Sequence, residues 1–224
     1  MPPRAAVISL VLALAFAPAH AEEANLSAHP EAEAGAASQL VLAQRLFRQA
    51  SESGDPVLLL AAIRLARGVA LRPAPGWERM TGDETGPSTS AGLPDPAGPA
   101  ALTMLQGLAV DDPDLQDLVY DLDAQLPQGR LPVATVARSD LNGGATQEWR
   151  LPLSGSVAAE IALIGAGNTA LGLSVTDDTG AEICSRPPAL DPALCRFTPA
   201  HNGFFTVKVV NAGADWNSYK LVGN

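Results

Sequence analysis

The spacing of apolar residues changes once along this 224-residue chain, at Gly129-Arg130, and that change limits the fold more than any other feature. Before it, apolar positions recur about every 3.6 residues, as on one face of a helix; after it they recur every second residue, as on one face of a strand. Helices and strands that occupy separate stretches of sequence point to layers built separately. The expected fold class is therefore α + β as separate domains: N-terminal helical hairpins over residues 36–128, then an antiparallel β-sandwich of about eight strands over residues 131–224.

In the helical stretch, Leu40, Ala43, Phe47 and Ala50 share one face, and Leu59, Ile63, Ala66 and Ala70 repeat the pattern. Gly54-Asp55-Pro56 separates the two runs. Glycine closes a helix in a left-handed conformation, an aspartate carboxylate caps the next, and proline fits a first helical position that needs no amide donor. A helical hairpin follows. Asp112-Pro113 repeats the start signal before Leu115, Leu118, Val119, Leu122 and Leu126, and Pro99 opens a run with Leu102, Leu105 and Leu108. Two hairpins give either a small bundle or a unit resembling tetratricopeptide-type packing. Residues 22–35, acidic and Ala-rich without period, are expected to form a flexible lead-in. Residues 73–98 hold five prolines and five glycines and are read as a disordered linker.

Beyond Arg130, short runs at 133–138, 146–153, 157–164, 170–176, 181–184, 194–198, 203–211 and 218–222 are separated by turn signals such as Asn142-Gly143-Gly144 and Asp177-Asp178-Thr179-Gly180. Alternation is plain in Leu171, Leu173 and Val175 and in Phe205, Val207 and Val209, each set presenting one apolar face to a core. Both sheets of the sandwich are expected to be antiparallel.

The run from Phe197 through Pro199-Ala200-His201-Asn202-Gly203-Phe204-Phe205 to Asn211, followed by Asn217-Ser218-Tyr219-Lys220-Leu221, resembles the closing strands of the bacterial pre-peptidase C-terminal (PPC-like) domain family. Trp149-Arg150-Leu151-Pro152-Leu153, residues 157–164 and Leu171 to Val175 look like its earlier strands in the same order. The resemblance covers about residues 133–224 and implies an exported, jelly-roll-like sandwich that serves as an accessory module for binding or solubility. Where many members have an Asp-rich approach to the central strand, this chain has Gly165-Ala166-Gly167-Asn168-Thr169-Ala170, so no metal ligand is carried over.

Export is also written at the start of the chain. Arg4, the apolar run from Val7 to Phe16 and Ala19-His20-Ala21 make residues 1–21 a secretory signal peptide, its apolar run of about ten residues well short of the roughly twenty that span a bilayer. The expected location is periplasmic or secreted, with no transmembrane segment. The formal charge of −10, with basic residues scattered singly or in pairs, makes nucleic acid an improbable partner and disfavours anionic membrane. Another exported protein, a peptide or a polysaccharide remains as a partner.

Candidate chemistry is sparse. Cys184 and Cys195 are the two cysteines and, outside the cytoplasm, are expected to form a disulfide that pins a Pro-rich loop without a strand of its own. Gly165-x-Gly167-x-x-Ala170 matches a dinucleotide fingerprint, but strand-like alternation follows where a helix would have to open, so no cofactor is assigned. The acids Asp111, Asp112, Asp114, Asp117, Asp121 and Asp123 read as helix-start and solvated charges, and no metal site is assigned. His201 is the one histidine in the sandwich and the natural base for a hidden hydrolase, yet it sits in a turn and no serine elbow accompanies it. Trp216, Tyr219 and Phe204 form a candidate binding surface or, alternatively, plugs for the core ends. The reading is a non-enzymatic binding or accessory protein of the bacterial envelope, with no catalytic residue assigned; the alternative is a periplasmic hydrolase or hydrolase-accessory protein.

Overall fold

The computed structural model describes residues 23–28, 34–81, 92–124 and 131–224; the signal-peptide reading lies outside them. Helix α1 (Ala36–Ser53) and helix α2 (Pro56–Arg67) form the hairpin that Gly54-Asp55-Pro56 encodes. Gly54 takes φ 65°, in the left-handed region where a side chain would be strained, and the Asp55 carboxylate accepts from the Val57 and Leu58 amides at 2.9 and 3.0 Å. Strands β1 (Ala70–Pro73) and β2 (Glu78–Thr81) follow, then α3 (Pro99–Leu108) and α4 (Pro113–Ala124), which the Asp112 carboxylate caps by accepting from the Leu115 amide. Phe47, Leu59, Ile63, Leu102, Leu105, Leu115 and Val119 meet in one apolar cluster, so the four helices form a small bundle.

Strands β3 (Val133–Leu141), β4 (Thr146–Leu153), β5 (Ala159–Gly165), β6 (Leu171–Thr176), β7 (Glu182–Ala189), β8 (Ala193–Phe197), β9 (Gly203–Asn211) and β10 (Asn217–Gly223) match the eight expected runs in order. They pair into two five-stranded sheets, β1-β3-β10-β5-β8 and β2-β4-β9-β6-β7. Between the sheets lie Leu151, Ile161, Leu163, Leu173, Val175, Phe205, Val207 and Leu221, each at most 2% exposed. Each such side chain stabilises the fold by roughly 1.5–3 kcal/mol of burial before conformational entropy is set against it.

Several expectations need correction. Residues 73–98 are not all linker: β2 pairs antiparallel with β4, and Trp77 packs on the sandwich core. The helical and β regions are not separate, because β1 and β2 edge the two sheets and Ala37, Leu40 and Val41 of α1 pack on Ala134, Val136, Ala162 and Val222. Ala70 leaves the helical pattern for β1, whose pairing with β3 is parallel and breaks the all-antiparallel expectation. Finally, Pro187 and Pro188 lie in β7 itself, an edge strand, at the register shift opposite Leu171 to Leu173 where the ladder with β6 is interrupted. The sequence suggested a loop because proline is excluded from central strands only.

Two side chains tie the rest of the chain to the sandwich. Glu160 of β5, 1% exposed, accepts hydrogen bonds from the Gly35, Ala37 and Ser38 amides at 2.8, 3.1 and 3.1 Å and from the Ser38 hydroxyl. Gly35 offers α1 no cap of its own, so a carboxylate 125 residues away satisfies the free amides of its first turn. Residues 23–28, read as part of a flexible lead-in, are likewise fixed. The Asn25 amide reaches the Asp177 carboxylate at 2.7 Å, and the Asn25 carboxamide makes a two-way backbone-like pair with His201.

Candidate functional site

The outward face of the first sheet is divided. Ala134 and Val136 on β3, Val222 on β10 and Ala162 and Ile164 on β5 lie under α1, but farther along β3 and β10 the outward positions become Arg138, Asp140, Ser218 and Lys220. This second half is left open as a groove of about 350 Å³, walled by Gln44 of α1 on one side and by Leu93 and Asp95 on the other. The wall is held in place by the Leu93 amide, which donates to the Ala166 carbonyl at 2.8 Å, and by a 2.9 Å ion pair between Lys220 and Asp95.

Charges alternate along the groove. The Ser218 hydroxyl donates to the Asp140 carboxylate at 2.5 Å. Partial burial pushes the Asp95 carboxyl up, but the Lys220 ammonium, the Ala97 amide and the Arg138 guanidinium together outweigh it and hold Asp95 below the usual carboxylate range. Gln44 is 8% exposed, yet its carboxamide makes no hydrogen bond among the described residues, and neither does the Arg138 guanidinium. The Gln44 amide atoms are not sealed from solvent, and a donor–acceptor pair lining a groove is suited to a ligand's own polar groups.

The residues singled out from sequence are not brought together. Tyr219 is 3% exposed; its hydroxyl accepts from the Trp149 indole at 2.7 Å and donates to the Gln147 carboxamide oxygen inside the sandwich, so its ring presents no binding surface, although the residue contributes to the groove lining. The alternation of β10 turns Tyr219 inward with Leu221. Phe204 is 45% exposed at the start of β9, with the Arg150 guanidinium 3.6 Å above its ring, whereas Trp216 lies in the loop after the far end of that strand. The three aromatics therefore do not form one patch. His201 is exposed, and its ring Nδ1 lies 3.2 Å from the Asn202 carbonyl oxygen. Among the described residues no hydrogen bond joins that ring to a serine or a carboxylate.

Cys184 and Cys195 form a disulfide, Cα to Cα 6.0 Å, that clasps edge strand β7 of one sheet to edge strand β8 of the other. The 165–170 segment crosses from β5 to β6 and leads into a strand, held by the Asn217 carboxamide, which donates to the Thr169 hydroxyl and accepts from the Ala166 amide. No helix opens there for a pyrophosphate to meet. In the acidic run, Asp112 caps α4, Asp114 lies in its first turn and Asp123 stands 3.9 Å from Arg67. Among the described residues, no three His, Cys, Asp or Glu side chains gather as a metal ion requires.

Solved structures similar to this chain cover part of it. The pre-peptidase C-terminal domain of a collagenase from Bacillus anthracis matches with 14% identity and a TM-score of 0.34, over 40% of this chain and 88% of that one. A mitogen from Yersinia pseudotuberculosis matches with 13% identity and a TM-score of 0.31, over 41% and 84%. Chitosan-binding module 1 of a Paenibacillus chitosanase/glucanase matches with 15% identity and a TM-score of 0.24, over 38% and 75%. No family model matches the chain, and no curated protein does.

The groove itself was missed by sequence reasoning, although a signal for it exists. The outward positions of β3 pass from Ala134 and Val136 to Arg138 and Asp140, and those of β10 from Val222 to Lys220 and Ser218. Two neighbouring strands that change character at the same level mark where a covering element stops.

Proposed function

We propose that this chain is an exported, non-enzymatic binding protein that seats a peptide segment of another exported protein in the groove beside α1. The observation that carries the reading is the Gln44 carboxamide, on a largely buried residue but open to solvent at the groove and without a hydrogen-bond partner among the described residues, lining it with Arg138, Asp140 and the Asp95–Lys220 pair. A primary amide offers donor and acceptor together, which is what a peptide bond presents in return. Leu93, beside the edge of the largely buried Ile164, gives the groove an apolar wall for one side chain, and the neighbouring charges of both signs set its direction. Tyr219 is part of the groove lining, but its ring belongs to the sandwich core and its hydroxyl is engaged there by Trp149 and Gln147, so it offers no free ring face of the kind that holds a sugar, which favours a peptide.

The strand order supports a jelly-roll connectivity: with the two added edge strands β1 and β2 set aside, first-sheet strands alternate with second-sheet strands along the chain until the β6–β7 hairpin. The disulfide supports a location outside the cytoplasm, and no helix among the described residues is long and apolar enough to cross a membrane.

Peptides selected by display against the full chain test the proposal. They should lose at least tenfold in affinity to Arg138→Glu and Gln44→Ala and be indifferent to His201→Ala. Selected peptides that bind Arg138→Glu as well as wild type would overturn it, as would hydrolysis of ester or peptide substrates that His201→Ala abolishes.

A further inference from the structure

Basic residues that are far apart in sequence meet at the clasped edge of the sandwich. Arg45 of α1, Arg186 of β7 and Arg196 of β8 line one open cavity of about 390 Å³ together with Pro192, Ala193 and Leu194. Three guanidinium groups on one small cavity are unexpected in a chain whose formal charge is −10. Like charges repel at this range, so the cluster is maintained against its own electrostatic cost.

Their partners leave the cluster only partly compensated. Arg45 donates to the Pro192 carbonyl at 3.2 Å, and Arg186 donates to the Leu194 and Ser185 carbonyls at 2.9 and 3.1 Å. These bonds fix the two forks in place and neutralise neither. Arg196 makes no hydrogen bond or ion pair among the described residues; Glu160, its cross-strand neighbour, offsets part of the charge through space, but its oxygens are occupied by the first turn of α1. Asp191, close by in sequence, is engaged by Arg48. The backbone beneath is rigid as well, since the Cys184–Cys195 disulfide stands one residue from Arg196 and two from Arg186.

Guanidinium forks match the oxygens of phosphate and sulfate two at a time, and forks already held by backbone carbonyls lose little freedom on binding. From the convergence of these three arginines we infer that this cavity is an oxyanion site for a phosphate- or sulfate-bearing ligand. The site is distinct from the peptide groove and does not depend on it. Basic residues that are scattered in the sequence are here gathered in space.

The test uses the intact, oxidised chain. Backbone amide NMR follows titration with inorganic phosphate at 0.15 M salt, and sedimentation follows binding to phosphatidylglycerol vesicles beside phosphatidylcholine ones. The expected result is a saturable shift confined to the residues around Arg45, Arg186 and Arg196, weakened at least tenfold in Arg196→Ala and unchanged in Lys208→Ala, a cation on the opposite sheet. Phosphate binding without vesicle binding identifies a soluble ligand; Arg196-dependent capture by phosphatidylglycerol identifies a lipid headgroup. No saturable response to either probe overturns the inference. So does equal weakening by Arg196→Ala and Lys208→Ala, because that is the signature of net charge alone.

Discussion

The two sheets of the sandwich share one interior but meet the outside differently. The first carries α1 across half of its outward face, and its strand β5 is buried from Ala159 through Ile164 on both sides. The second leaves its outward face to solvent, and its strand β9 alternates, with Phe205, Val207 and Val209 buried and Phe204 and Lys208 exposed. Both cavities singled out above, the groove and the arginine site, open on the covered sheet. A bare β-face is flat, whereas a helix laid across one makes walls, and walls are what a ligand needs. The helix is thus as much a part of the binding surface as the strands beneath it.

That contrast is most sharply broken by one charge placed on each outward face. Ala162→Asp, at a position with no exposure, would set a carboxylate under α1 and should cost more than about 4 kcal/mol or release the helix; Thr206→Asp on the open sheet should stay within about 0.5 kcal/mol. Urea unfolding of the two variants checks this, and equal losses would mean that α1 does not cover the sheet. Next in size, Glu160→Ala leaves the first-turn amides of α1 without their acceptor and should cost about 3 kcal/mol, with Glu160→Gln recovering part of it. Hydrogen exchange at Ala37 and Ser38 should quicken in step with the loss.

The smallest effect concerns pH. Burial pushes the Asp177 carboxyl up, but hydrogen bonds from Thr179, Asn25 and Ala181 outweigh it and hold the carboxyl below its usual range. A carboxyl depressed by folding adds stability that is complete above its unfolded pKa of about 3.9 and is lost as pH falls through the lower folded value. Asp177→Asn should therefore flatten the acid limb of the stability curve below about pH 4. It should leave the slope above pH 5 unchanged, as thermal melts across that range would show.

Most of the sandwich was legible because its signals are local. Strands β4 and β9 fall on the expected residues, and Gly54-Asp55-Pro56 turns as its chemistry dictates. What stayed hidden depends on contacts between distant segments. Ala70–Pro73 and Glu78–Thr81 are short and sit among prolines, and they become strands because β3 and β4 offer them unpaired borders. Nothing near Glu160 in sequence shows that it caps a helix. The apolar run that ends at Ile164 did carry a readable message, since a strand apolar on both sides needs a cover on each, and that cover is α1. The groove and the arginine site arise only where α1 meets the strands, so neither has a contiguous motif.

The placement of β1 and β2 has a practical corollary. Because they close the outer borders of the two sheets and are followed in the chain by the last two helices, the protein has no clean cutting point ahead of residue 131. A fragment begun there would bare the long ladders of β3 and β4 together, and bare ladders recruit other chains. Self-association by such a fragment would report a wound in the fold rather than a property of the intact protein.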